Sequence, residues 1–363
     1  LVSDWSSDVC SSDLTPVGPY HRRAISGILR PYAGPSFRPT HPTSTHLLMS
    51  SHLSSSPISR PAGRRLPGTL ALGSLLVLSV GAAFAQPAHL VRGQQLVDEI
   101  TAAQALGVFT GDVNGTTVFL NRYGGSWGSA TEPSFIRFLD ANAGTYAANL
   151  TTCAPLVTHL LKHTYGWNWK THGIPNPLQG GAPTFTSSPQ SYLYVSAIKH
   201  QVGFSQRLLT LGAVQPGDIA ARWDVGTDDG HTMIVVAVNA GSAKAYPETS
   251  ADPNFLPALA GATYTEVTVL DSSSSGHSSD TRLITYNGST ALSGGVGEGV
   301  IGVFTNSAGE VIAHTWSLPT SSYTKVSKGV TIINPAWLSG IKSRVKLQGA
   351  CELVFGQIGR AHV

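Results

Sequence analysis

The chain changes character at Gln215-Pro216-Gly217-Asp218, and that switch limits the folds open to it. Before this turn, apolar residues recur at helical spacing. Leu96, Val97, Ile100, Ala103 and Leu106 mark one face of a first helix between Gly93 and Leu106. A second helical pattern starts at Pro133, a third runs from Cys153 to about Thr164, and a fourth from Ser191 to Leu211. Gly-rich segments at 111–115 and 124–128 bracket a strand-like run from Thr116 to Leu120, and residues 166–189 read as a long surface loop. After the turn come short runs of Val, Ile, Thr, Tyr and Trp broken by Gly, Asn and Ser. They predict strands over 219–223, 231–238, 263–270, 282–286, 300–304 and 311–316. Helices followed by neighbouring strands indicate an α+β domain with an antiparallel sheet, not a doubly wound nucleotide-binding fold.

Both chain ends read as something other than folded protein. Asp8 to Leu14 can be encoded by a string whose reverse complement translates as Ile358-Gly359-Arg360-Ala361-His362-Val363, as sequencing adaptors at two fragment ends would be. Residues 1–14 and 358–363 are therefore set apart as adaptor-derived. Residues 15–48 are rich in Pro, Ser, Thr, Arg and His without apolar periodicity, which fits an upstream or disordered leader. Residues 49–85 have the order of a signal peptide: Met49, basic Arg60, Arg64 and Arg65, an apolar run from Leu66 to Phe84, then Ala83-Phe84-Ala85 at a cleavage site. Gly68, Gly73 and Gly81 dilute that run and argue against a membrane anchor. The expectation is one exported domain over 86–357, secreted or periplasmic, with a helical insertion at about 178–211.

Without the ends, the charge argument changes sign. The full chain carries a formal +3, but residues 86–357 hold 15 Lys and Arg against 17 Asp and Glu, a net −2. Nothing in that balance points to nucleic acid. Of three cysteines Cys10 belongs to the adaptor, so no disulfide framework is available. Cys153 and Cys351 either form one bridge, or Cys153 is a reactive thiol and Cys351 a small apolar residue near the end of a strand.

The surroundings of Cys153 favour chemistry. Thr151-Thr152-Cys153-Ala154-Pro155 reads as a helix start, with Thr at the N-cap, Pro in the first turn and Leu156, Val157, Leu160 and Leu161 as the buried stripe. A cysteine in that first turn sits where the helix dipole favours thiolate, the nucleophilic form. His231 opens the strong strand His231–Val238 behind the Asp228-Asp229-Gly230 turn, so the sheet would hold its ring rigidly. Asp271 closes the apolar run Val267–Leu270, where a carboxylate can accept the imidazole Nδ1–H and stabilise the imidazolium. Each residue has a plainer reading: a buried thiol, an exposed hairpin histidine, an aspartate capping a turn. The order of Cys, His and acid on helix start, strand start and strand end is harder to obtain by accident.

These features resemble the NlpC-type and CHAP-type cysteine peptidases and amidases. The likeness rests on the Cys at a helix start, the Pro-Gly-Asp turn into a strand, the Gly230-His231 opening of the next strand and a polar residue on the strand after it, over about 145–316. It implies a papain-like fold and amide hydrolysis, often of cell-wall peptides, without a cofactor or metal. It also implies Cys153 as nucleophile, His231 as base and Asp271 as third member. Thr152-Cys153-Ala154-Pro155 departs from the polar frame usual in that family, as does the Ser272–Arg282 stretch with His277 and Asp280. The side-chain oxyanion donor is open between Tyr123 and Tyr146. The partner expected is a peptide or peptidoglycan-like substrate; the oligomeric state is not readable.

Two other classes compete. A non-catalytic secreted binding or surface protein would use Tyr165, Trp167 and Trp169 as a glycan-contacting rim. A zinc protein would use His159 and His163, spaced i, i+4, although the metalloprotease Glu is absent between them. His277 reads either as a substrate-binding group, as the partner of Asp271 or as a turn histidine, and His314 as a sheet residue. Glu298, in a Gly-rich loop at 294–299, has no evident role.

Overall fold

The computed structural model describes residues 86–358 apart from 114, 225–228, 250–254, 287–288, 317–344 and 350. The adaptor-like N-terminus, the leader and the signal peptide read from the sequence lie outside the described residues. Among the described residues no helix is long and apolar enough to cross a membrane.

Three α-helices appear among them: α1 (Ala88–Ala105), α2 (Cys153–Tyr165) and α3 (Ser191–Lys199). The stripe expected on α1 is buried at Leu96, Val97, Ile100 and Ala103. Gly166, at φ 65, ends α2 with its N–H on the Lys162 carbonyl, the left-handed cap that glycine favours. The fourth pattern yields a shorter helix than its apolar content suggests. Gln201 at φ 55 and Gly203 at φ 72 turn the chain after Lys199, and the rest becomes loop and strand.

A small sheet is formed by β1 (Asn121–Tyr123), β2 (Phe135–Arg137) and β3 (Ala148–Thr151), with β3 in the centre. The helix expected from Pro133 is therefore absent. Ile136 is buried between two half-buried neighbours, which is a period of two, and Phe135 and Arg137 stand opposite Leu150 and Ala148.

The large sheet contains β4 (Gln206–Leu208), β5 (Ile219–Asp224), β6 (Asp229–Ala245), β7 (Thr263–Ser273), β8 (Gly295–Thr305), β9 (Val311–Thr315), β10 (Val345–Leu347) and β11 (Cys351–Gln357). Its order is β10-β9-β8-β7-β6-β5-β11-β4, antiparallel at every pairing. The sheet curls until Thr210, after β4, bridges Glu310 between β8 and β9, and Leu211 N–H meets the Gly309 carbonyl. Strand alternation then feeds two cores. Ile219, Ile234 and Leu270 face the helices with Leu156 and Leu160, while Met233, Val235, Val267, Val269 and Phe355 fill the curl. The architecture is α+β, with few helices on a large antiparallel sheet.

The Pro-Gly-Asp turn has a structural task. Gly217, at φ 92, donates its N–H to the Val235 carbonyl, and the Asp218 carbonyl accepts from Val235 N–H, so the turn fixes the register of β6. The Asp218 carboxylate accepts from Gln215 N–H. Buried His89 on α1 binds the same turn: its Nε2 lies 2.6 Å from the Gly217 carbonyl and its Nδ1 2.9 Å from the Tyr165 hydroxyl. That pairing uses a neutral ring, donating through Nε2 and accepting at Nδ1.

Burial lowers the His89 pKa to about 4, against a partial rise from the Gly217 hydrogen bond. The unfolded chain therefore binds the extra proton first, so this stability is complete above about pH 6.5 and is lost as pH falls toward 4. The loss attributable to His89 is expected to be on the order of 3 kcal/mol across that window. Urea unfolding of wild type and His89→Gln at pH 7 and pH 4.5 measures it, and the variant should show the shallower pH dependence.

Candidate active site

Cys153 is the first residue of α2 and is 1% exposed. Thr152 occupies the N-cap position, but its side chain makes no cap hydrogen bond, and the first turn has no acidic residue. The positive end of the helix dipole is therefore met there by no carboxylate of its own first turn. The helix is held from both sides. Leu156, Val157, Leu160 and Leu161 lie in the core, and Ser272 Oγ, one residue beyond Asp271, donates to the Thr151 carbonyl at 2.7 Å. That bond ties the strand leading into the cysteine to the strand carrying the acid.

His231 is the third residue of β6, 2% exposed, and opposite Arg222 on β5. Gly230 before it must be glycine, because a Cβ there would lie 2.8 Å from the Ser191 Cβ at the start of α3. The His231 imidazole hydrogen-bonds the Cys153 side chain on one side, and its Nε2 lies 2.5 Å from Asp271 Oδ2 on the other. Asp271 thus engages Nε2 and not Nδ1 as expected from the sequence, which leaves Nδ1 for the sulfur. Burial opposes the imidazolium. The charge on Cys153, the hydrogen bonds to Asp271 and Cys153, and the Asp271 charge outweigh it and raise the His231 pKa to about 9.

Asp271 has no exposed surface and lies within β7, which runs two residues beyond it to Ser273. Its carboxylate has three partners. Besides His231, His277 Nε2 lies 2.9 Å from Oδ2, and the Arg282 guanidinium lies 3.0 Å from Oδ1. The Arg282 contact is out of hydrogen-bond alignment, so it acts through charge. Burial would raise the Asp271 pKa, but Arg282, His277 and the hydrogen bonds from both histidines hold it well below the usual carboxylate range. Asp280 completes the cluster: its carboxylate accepts from Arg282 Nε at 2.8 Å and Nη2 at 2.6 Å and from His277 N–H at 2.6 Å. His277 Nδ1 lies 2.8 Å from the Trp316 carbonyl, so both of its ring nitrogens meet oxygen acceptors. His277 therefore holds Asp271 directly, and Asp280 holds it through His277 and Arg282.

The segment 277–282 can lie on the sheet because β8 is smooth where it passes. A Cβ on Gly297 would lie 2.6 Å from Arg282 Cγ, and one on Gly299 would lie 2.5 Å from His277 Cβ. The Gly-rich run read as a loop is this strand, with glycine at alternate positions on one face. Trp316 closes the cluster from above. Its ring lies edge-on to His231 at 4.6 Å and tilted on His277 at 4.1 Å, with Arg222 stacked 5.3 Å from its centre.

No disulfide joins Cys153 and Cys351; Cys351 begins β11, and burial raises its pKa to about 11. Trp169 is fully buried and stacked on Trp167, while Tyr165 bonds His89, so these aromatics do not form an open rim. His159 binds Ser134 through Nε2, and His163 packs on Phe138, with no third ligand joining them among the described residues. His314 is buried in β9, and burial lowers its pKa to about 3. Tyr123 stands beside Thr151 on the neighbouring strand and Tyr146 is exposed; the hydroxyl brought against the sulfur is that of Ser191, at 3.5 Å. His231, Asp271 and His277 place three ligand-type atoms within 4.8 Å of one another. Both imidazoles already bind one carboxylate oxygen and Arg282 faces the other, so the group is saturated by hydrogen bonds and charge and a cation would have to break them.

No family model matches the chain, and searches of curated proteins and of solved structures gave no match.

Gly299→Ala should destabilise the fold by about 1–3 kcal/mol, because His277 cannot withdraw without disturbing Asp271. Gly241→Ala, where an added Cβ meets nothing within 4 Å, serves as the control. Equal urea midpoints for the two variants would contradict the close-packed glycine face.

Proposed function

We propose that this protein is a secreted cysteine hydrolase that cleaves amide bonds through Cys153, His231 and Asp271, on a papain-like arrangement of a cysteine-bearing helix against an antiparallel sheet. The observation that carries the reading is one buried imidazole bonded to the Cys153 sulfur on one side and to a charge-compensated Asp271 on the other. A merely structural cysteine has no need of an imidazolium beside it, and Cys351 shows the contrast: the ring beside its sulfur, His314 at 4.0 Å, is kept neutral by burial.

In the proposed mechanism the Cys153 thiolate attacks the amide carbonyl carbon, forming a C–S bond as the carbonyl π electrons move to oxygen. The backbone N–H of Cys153 at the helix start is the natural donor to that oxyanion. His231 gives its proton to the leaving nitrogen, the C–N bond breaks, and a thioester remains. The neutral imidazole then takes a proton from water, the hydroxide adds, and collapse of the second tetrahedral species breaks the C–S bond. The carboxylic acid leaves, and thiolate and imidazolium are restored. Peptide amides, including those of bacterial cell walls, are the substrate class that the sequence resemblance suggests.

Wild type and Cys153→Ala are to be incubated with purified peptidoglycan and a panel of peptide amides, with products read by mass spectrometry. New amine and carboxyl termini are expected with wild type and a loss of more than about 1,000-fold with the variant. Equal turnover by both would overturn the reading. On any substrate found, kcat/KM should fall above about pH 9, where His231 loses the proton that the leaving nitrogen needs.

A further inference from the structure

Ser191 opens α3, within the expected insertion at about 178–211. Its Oγ lies 3.5 Å from the Cys153 sulfur, and Thr232 Oγ1 donates to that same Oγ at 3.0 Å. All three side chains are buried. A serine hydroxyl has one hydrogen to give. With Thr232 supplying a hydrogen bond that Ser191 accepts, the serine's own hydrogen is left to give, and an ionised sulfur at 3.5 Å can only accept it.

The neighbouring sequence serves the same contact. Gly230, His231 and Thr232 are consecutive on β6. The first leaves room for Ser191, the second carries the imidazole, and the third orients the serine. The start of α3 adds a second helix N-terminus beside the sulfur, again with no side-chain cap and no acidic residue in its first turn.

We propose that Ser191 is a catalytic hydrogen-bond donor to the Cys153 thiolate, held in orientation by Thr232. The role rests on the hydrolase reading above. No covalent bond changes at Ser191: its O–H···S hydrogen bond stabilises the sulfur's negative charge before attack, weakens as the C–S bond forms and strengthens again as the thioester releases sulfur. The other titratable groups facing the sulfur are His231 on β6 and Tyr194 on α3, with Asp271, His277 and Arg282 behind His231. Burial, and to a lesser degree the charge on Cys153, keep Tyr194 neutral. The acid limb thus belongs to the coupled Cys153–His231 pair.

Thiolate ultraviolet absorbance of the full chain, titrated against Cys153→Ala as blank, tests this without any substrate. Wild type is expected to ionise well below an ordinary thiol. Ser191→Ala should raise the apparent pKa by about one unit. Thr232→Val should raise it by less, and Thr232→Ser should restore the wild-type value. The acid limb of kcat/KM should move with the titration while the limb near pH 9 stays. A Ser191→Ala curve superimposed on wild type, with a low wild-type pKa, would overturn the role of Ser191 and leave the hydrolase reading intact. An ordinary thiol pKa in wild type would overturn both. If Ser191→Ala fails to fold, the Thr232→Val and Thr232→Ser pair decides.

Discussion

A carboxylate with no exposed surface, inside a β-sheet, has to be compensated or the strand that carries it will not be buried. Asp271 sets that constraint here, and much of the architecture near it answers the need. Arg282 and His277 return over the sheet to meet it, Asp280 fixes both of them, and His231 approaches from the adjacent strand. The glycines at 297 and 299 are the consequence, since any side chain on that face would hold the 277–282 segment away. Trp316 then excludes water from above the two histidines, which strengthens every charge contact beneath it.

The same compensation extends to the sulfur. Asp280, Arg282, Asp271, His231 and Cys153 form a line of alternating charge, in which each group favours the ionised form of the next. At its far end the sulfur meets two helix starts that lack both acidic residues and side-chain caps, and a serine hydroxyl aligned by Thr232. Burial alone would neutralise both His231 and Cys153. The arrangement keeps charge in the interior, where it is costly, at a place where the proposed nucleophile would need it.

Much of this was legible in the chain. Helical spacing marked α1 and α2 because their faces alternate between core and water, and β-branched runs marked β5 to β9 because each is buried on at least one face. Cys153, His231 and Asp271 stood out since each lies at the boundary of such a run. What periodicity cannot show is which surface a residue meets. Phe135 to Arg137 is a strand although its sequence suits a helix, because an aromatic and aliphatic cluster fits either until a partner strand is known. Asp271 takes its hydrogen bond from Nε2 of His231 and not from Nδ1, because ring orientation is set by packing. Ser191 and Thr232 are ordinary in sequence and acquire meaning only through the 3.5 Å and 3.0 Å contacts that folding creates. One signal was available: glycine at 295, 297 and 299 has the period of a strand, and a strand with every second side chain missing implies close approach by something else.

The proposed chemistry requires His231 to carry a proton because Cys153 has lost one. Nitrogen NMR of the His231 ring, in wild type and in Cys153→Ala, reports that state across pH. In wild type the ring should remain imidazolium through neutral pH and titrate near 9, and without the sulfur's charge its pKa should fall. A neutral His231 ring at pH 7 in wild type, unchanged on removal of the sulfur, would contradict the ion pair and with it the nucleophile.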